Sequence, residues 1–363
     1  MTDASTLRLF RAIRRGPRTT TAARNTATPR GGGRLPAGSS GHVRRPGRVT
    51  CSAAIALLML ILPTALSAQP RVLDVGPGRA FRVPSAAAAV ARKGDVIRIA
   101  PGTYEDCAVW SADGIVIEGE SADRTVIGNR TCRGKGVFVV DGNDVTVRGV
   151  TLRGARSEDA NGAGIRGEGV NLTVERVRFL DNENGILLAG VQRGALVVRD
   201  STFIGNGSCE RACAHGIYTG ALELLRVERS RFFDTRAGHH VKSRALRTEV
   251  LDCDIEDGPE GTASYLIDVP NGGAVLLRGN RLSKGPHSGN RSTAISIGAE
   301  GVDRPTPEIR VESNVFTLGG DYHTVFVTNF TATPAFLRAN SLPRTVTPLH
   351  GDGQTASEAA PRR

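Results

Sequence analysis

Three residue types that carry charge or move protons recur at near-equal spacing: Tyr218, Lys242 and Asp268, separated by 24 and 26 positions. Around them lie His215, His239, His240, Arg244, Tyr265 and Asn271, and Lys284 and His287 follow within one further interval. Four of the seven histidines in the chain fall in or beside this group, since His42, His323 and His350 lie elsewhere. Brought together, these side chains suit β-elimination, in which a carbon-acid proton beside a carboxylate is removed. That reaction needs cations or strong donors to neutralise the carboxylate and a base to take the proton. Lys242 is the expected base, its ammonium pKa lowered by Arg244 and protonated histidine, and Tyr218 shares the proton transfer. His240, Arg244 and His215 are expected to hold the carboxylate, while Asp268 orients Lys242 or binds a metal. His239, Tyr265, Asn271, Lys284 and His287 complete the expected binding set.

Plainer roles fit the same residues. A stacked Tyr, Lys and Asp is also what a solvated ladder looks like, and its charge pair adds only a fraction of a kcal/mol, about 0.5. Gly238-His239-His240 can be a turn. The concentration of His, Tyr and Lys in three successive intervals, where flanking intervals carry Leu187 and Phe326, favours chemistry. Glycoside hydrolysis needs two carboxyls roughly 5 to 9.5 Å apart. Asp268 is the sole acid of the row, so hydrolysis ranks lower. Asp252, Asp254 and Asp257 have strand-end spacing that suits Ca²⁺, although a solvated acidic turn explains them more simply. No cofactor is otherwise expected.

The elements that must position these residues are short strands. Hydrophobic stretches alternate with period 2 and recur as triplets every 21 to 34 residues, which signals a solenoid. One series runs Ile165, Ile186, Ile217, Val241, Ile267, Ile295, Val325. A second starts its triplets at Leu172, Leu196, Leu222, Glu249, Val275, Ile309 and Ala335, and a third runs Leu152, Phe179, Phe203, Phe232, Ile255, Leu282, Phe316, Leu342. Three strands per turn, each stacked on its counterpart, make an all-β parallel β-helix of about nine coils. A short capping helix is expected over Ser85 to Ala91. Two residues before each of the last six members of the third series stands Ser201, Ser230, Cys253, Asn280, Asn314 or Asn340, turn formers that would stack as an internal ladder. Cys253 is thus expected as a buried rung. Cys107 and Cys132, one turn apart, are expected to pair, as are Cys209 and Cys213 across a loop, with metal binding by the latter two and His215 as the alternative.

The stretch Gly94 to Tyr104, with Gly114-Ile-Val-Ile-Glu-Gly119 and Thr125-Val-Ile127, resembles the entry coils of the right-handed parallel β-helix proteins, the pectin-lyase-like superfamily. The resemblance spans residues 72 to 343. It implies that the ladder turn joins the second and third strands of each coil, that the Ile165 series is the first strand, and that a substrate groove follows the outer face of that strand. The residues just after each aliphatic would then line it: Arg166, Leu187, Tyr218, Lys242, Asp268, Ser296 and Phe326. The superfamily hosts lyases, hydrolases, epimerases, esterases and adhesins, so the fold alone does not choose. The Asp-Asp and Gly-His-Gly elements of its polygalacturonase-like hydrolases are missing, and so is the Arg-Pro-x-x-Arg signature of its pectate lyases. The expected function is lyase action on a uronate-containing polysaccharide. A non-catalytic glycan-binding or envelope protein is the alternative, and a glycoside hydrolase the further one.

Of the formal charge of +11, +10 resides in residues 1 to 68, which hold eleven Arg, no Lys and only Asp3 as an acid. The remaining chain is nearly neutral, so nucleic acid is excluded as a partner. Residues 53 to 66 form an apolar core behind Arg44, Arg45 and Arg48 and ahead of Ala65-Leu-Ser-Ala68, the pattern of a secretory signal within a 1–68 leader. Translation is expected to start near Val43. The core is too short for a comfortable membrane span of about 20 residues. The Ala-, Gly- and Arg-rich composition points to a bacterial protein exported to the periplasm or medium, acting as a monomer. The β-helix domain is expected over 69–346 and a disordered polar tail over 347–363.

Overall fold

The computed structural model describes residues 69–191 and 193–356. The leader 1–68, with its apolar segment and Cys51, and residues 357–363 lie outside the described residues. Within them the chain winds through three parallel sheets of 12, 10 and 9 strands. Nine complete coils carry one strand of each sheet.

Each coil visits the sheets in a fixed order, as in Ile217–Ala221 of the ten-stranded sheet, Leu224–Glu228 of the twelve-stranded sheet and Arg231–Phe233 of the nine-stranded sheet. Inward residues stack on themselves from coil to coil. Phe179, Phe203 and Phe232 form parallel stacks with centroids 4.6 and 4.4 Å apart, and each buried ring contributes about 1.5 to 3 kcal/mol. The bend between the second and third strands is closed by the expected ladder. The backbone amide of Ser201 donates to Ser230 Oγ, that of Ser230 to Cys253 Sγ, and that of Cys253 to Asn280 Oδ1. The amide of Asn280 then donates to Asn314 Oδ1, and that of Asn314 to Asn340 Oδ1. The left-handed residue is the one before each rung: Asp200, Arg229, Asp252, Gly279, Ser313 and Ala339 have φ between 45° and 70°. The bend therefore takes its geometry from one position and its hydrogen bond from the next.

Several registers differ from expectation. The second series aligns Leu225 and Thr248 where Leu222 and Glu249 were expected, and Val327, not Val325, stacks on Ile295. Helix Pro84–Ala88 ends three residues short of Ala91 and follows a first strand, Val72–Val75. The expected disordered tail is a correction too: Val346–His350 and Gly353–Ala356 extend the ten- and twelve-stranded sheets. Cys107–Cys132 and Cys209–Cys213 are disulfides, which removes the latter pair as metal ligands, and Cys253 is free and buried.

The outer face of the twelve-stranded sheet carries a lattice of Arg and Glu. Arg226 Nε lies 2.6 Å from Glu249 Oε2, Arg199 Nε 3.1 Å from Glu228 Oε2, and Arg310 Nη2 2.9 Å from Glu312 Oε1. Its arginines are one-third or more exposed, the pattern of a solvated face. The ten-stranded sheet differs.

Candidate functional site

On the ten-stranded sheet, Ile217, Val241 and Ile267 pack inward with no exposure, so the residues after them turn outward. The register pairs Tyr218 with Lys242, Lys242 with Asp268 and Asp268 with Ser296. The expected column exists. Its next member is Thr328; Phe326, expected there, is fully buried in the core.

The column is roofed by the connection 298–308, which is far longer than the corresponding connections 222–223, 244–246 and 270–273. Asn271 Nδ2 donates to Gly301 O at 3.2 Å, the Arg304 amide to Asn271 O at 3.1 Å, and the Glu300 amide to Pro270 O at 2.9 Å. Gly273 has φ of +108°, and a Cβ there would come within 2.6 Å of Ala245 O, so the adjoining turns pack too closely for any side chain.

Under this roof the charges interlock. Lys242 Nζ lies 2.7 Å from Glu300 Oε1 and 3.3 Å from Asp268 Oδ2. Arg244 Nη2 lies 2.5 Å from Glu300 Oε2, its Nε donates to Tyr218 Oη at 3.1 Å, and Nη1 donates to Asn271 Oδ1. The nearest charges to Lys242 are thus carboxylates, not the cations expected to free its amine. Burial raises the Asp268 carboxyl to about 6 against the pull of Lys242, and its Oδ1 is buried without a partner. Burial acts on Glu300 in the same direction, but hydrogen bonds from Lys242 and Arg244 hold it below the usual carboxylate range.

Beside the column, His215, His239 and Tyr265 stack, each ring 4.9 Å from the next. The His239 amide donates to His215 Nδ1 at 3.0 Å and the Tyr265 amide to His239 Nδ1 at 3.1 Å. A donor on each Nδ1 leaves the neutral ring's proton on Nε2. Burial lowers His215 to about 3 and His239 well below its ordinary value, each helped by Lys242. His215 is thus not the cation expected to hold a carboxylate; both rings are neutral donors. His239 Nε2 lies 3.5 Å from Asp268 Oδ2.

Two expected site residues are interior. His240 is fully buried, with Nδ1 2.7 Å from Thr235 Oγ1 and Nε2 2.9 Å from Asp257 Oδ1. In/out alternation fails at this corner, where both His240 and Val241 face the core. The equivalent position holds Gly216 one coil earlier and Leu266 one coil later, and a Cβ on Gly216 would lie 3.3 Å from Phe232 Cδ1. Lys284 is also fully buried, donating to Ser264 O at 2.8 Å, and burial lowers it to about 8 although Asp257 opposes this. His287 is exposed and makes no hydrogen bond, ion pair or ring contact to the column among the described residues. Asp257 is committed to His240 and to the Gly285 amide, which leaves Asp252 and Asp254 without it as a calcium set. Among the described residues no three His, Cys, Asp or Glu side chains gather as a metal site. The unforeseen members are Glu300 and Arg304, whose Nε donates to Arg244 O at 3.3 Å. The extra length of 298–308 was their only signal in the sequence.

A family model described as the right-handed β-helix region matches residues 96–255. Among solved structures, an alginate lyase from Paenibacillus sp. str. FPU-7 is similar, with TM-score 0.55 and 15% identity over 80% of this chain and 99% of that one. A pectate lyase, Pel9A, is similar with TM-score 0.53 and 14% identity over 76% of this chain and 72% of that one. No curated protein matches the chain. At such identities the likeness is one of fold, and it agrees with the coil and turn ladder described above. The chain folds as a right-handed parallel β-helix, the architecture that the family model gives for residues 96–255 and that the two lyases share.

Proposed function

We propose that the protein is an exported, monomeric enzyme that cleaves a uronate-containing polysaccharide by β-elimination at the Tyr218, Lys242, Asp268 column. The observation that carries this is the position of Arg244, which hydrogen-bonds a phenol oxygen and shares the Glu300 carboxylate with Lys242. Arg244 and Lys242 neutralise the sugar carboxylate, which acidifies the adjacent carbon proton. As Tyr218 Oη takes that proton, its own hydroxyl proton passes to the glycosidic oxygen, the bond from carbon to that oxygen breaks and a carbon–carbon double bond forms, with the tyrosine left neutral. Asp268 positions Lys242 and His239, and the neutral imidazoles donate hydrogen bonds to the sugar.

The alginate and pectate lyases that share the fold agree with this reading. The two disulfides and the signal-like leader support export. Among the described residues no helix is long and apolar enough to cross a membrane. Hydrolysis stays below elimination even though Glu300 supplies another carboxyl. One ammonium lies between Glu300 and Asp268 at 2.7 and 3.3 Å, occupying the space a scissile bond would need.

The test is incubation of the mature chain with alginate, pectate, glucuronan and glycosaminoglycans, following the ultraviolet absorbance of unsaturated ends. Wild type should produce them from at least one polymer, and Tyr218→Phe should bind that polymer without producing them. Saturable retention of a polymer by wild type with no unsaturated product would replace the enzyme with a glycan binder.

A further inference from the structure

We infer that Glu300 is a resident stand-in for the ligand's carboxylate, occupying the two cations that a uronate must reach and thereby lowering the site's apparent affinity for acidic sugars. The inference rests on the reading that this site takes a uronate, and it adds which residue the sugar displaces.

Each oxygen of Glu300 meets a different cation: Oε1 lies 2.7 Å from Lys242 Nζ and Oε2 2.5 Å from Arg244 Nη2. A carboxylate divided between two cations in this way is what a bound sugar acid would present. The cations do not depend on Glu300 for their placement. Lys242 is held by Asp268, and Arg244 by Tyr218 and Asn271, with its carbonyl taken by Arg304. With Glu300 removed, the pair would remain in position and lack its anion.

Burial divides the partners. The Lys242 and Arg244 side chains are 11% and 23% exposed, whereas that of Glu300 is 46% exposed. The acid approaches from the solvent side and can swing back to it. Its backbone need not follow, because the Glu300 amide is bonded to Pro270 O and the neighbouring Gly301 carbonyl to Asn271. Only the side chain has to rotate.

The exchange acts on acidic sugars alone. A neutral sugar that displaced Glu300 would strand two largely buried cations and so leaves it seated, whereas an acidic sugar replaces one anion with another. The resident acid lowers apparent affinity by the fraction of molecules in which it is seated. The ligand class is therefore an organic carboxylate on a sugar ring.

Titration calorimetry with D-galacturonate, D-glucuronate and D-mannuronate as probes, and D-galactose as the neutral control, tests this on wild type, Glu300→Gln and Glu300→Ala. At least one acidic sugar should bind both variants about tenfold more tightly than wild type, while galactose binding stays the same. Binding of the acids that is equal, weaker or absent in the variants overturns the inference, as does an equal gain for galactose. Thermal unfolding checks that each variant is folded; Glu300→Gln keeps the shape of the side chain and decides the matter if Glu300→Ala does not fold. Tighter galacturonate binding without unsaturated product from any polymer would sink the elimination and leave the role of Glu300 standing. Product with unchanged binding would do the reverse.

Discussion

Arg244 Nε donates to the hydroxyl of Tyr218 at 3.1 Å, and the same guanidinium lies 5.8 Å from the centroid of the tyrosine ring, a contact across one coil and 26 residues. One planar fork thereby reaches Tyr218, Asn271 and Glu300 together. Lysine has the charge but not the fork. Arg244→Lys should lower kcat/KM for elimination by about a hundredfold with little change in thermal unfolding. A loss of only a few-fold would mean that charge alone suffices.

The Asp268 carboxyl, raised to about 6 by burial, makes a signed prediction. An unfolded aspartate titrates near 3.9, so between about pH 4 and 6 the folded chain holds a proton that the unfolded chain has released. Stability from this group falls as pH rises through that window and is constant above it. Thermal unfolding of wild type and Asp268→Asn across pH 4 to 7 should show wild type losing ground to the variant as pH rises. The opposite trend would mean that Lys242 outweighs burial.

His240 is expected to matter for folding and not for turnover. Its contacts to Thr235 and Asp257 lie inside the coil, so His240→Leu leaves Asp257 without its imidazole partner. The loss should be about 3 to 5 kcal/mol in denaturant unfolding, with kcat of the folded fraction unchanged. A variant of full stability and lost turnover would return His240 to the chemistry.

Cys253 sits in the turn ladder, where burial pushes its thiol up to about 12. A thiol reagent should leave it unmodified in the native protein and label one site per chain after unfolding without reductant in the mature chain. Fast native labelling would place the sulfur at the surface.

Asn314 accepts from the Asn280 amide, donates to Asn340 Oδ1 and donates to Leu277 O at 3.0 Å. Asn314→Ala strands these groups inside the bend, at a cost of about 1 to 3 kcal/mol each before relaxation. Thermal unfolding should register a clear drop, while the conservative Asn314→Ser, which restores the acceptor, recovers part of it.

The recurrence of Phe179, Phe203 and Phe232 and of the Ser, Cys and Asn rungs was legible because one residue per coil repeats the same environment. That spacing also brought Tyr218, Lys242 and Asp268 into one column. The errors have local causes. At the start of the first strand two adjacent residues face inward, so simple alternation put His240 on the wrong side and let Phe326 stand in for Thr328. Leu222 misled because it lies in the connection 222–223, before the strand Leu224–Glu228 in which Leu225 takes the inward position. Glu300 was beyond reach for another reason. It lies 58 positions from Lys242 on an irregular connection, and periodicity says nothing about where such a segment folds back.

The three strands that carry the column stand in the middle of the ten-stranded sheet, with four strands on one side and three on the other. In a stack where each layer touches only its neighbours, fraying begins at the extremities and works inward. Partial melting or nicking of the outermost windings should therefore reach the Tyr218–Arg244 neighbourhood last. Heat-damaged preparations ought to retain ligand recognition after their total sheet content has begun to decline.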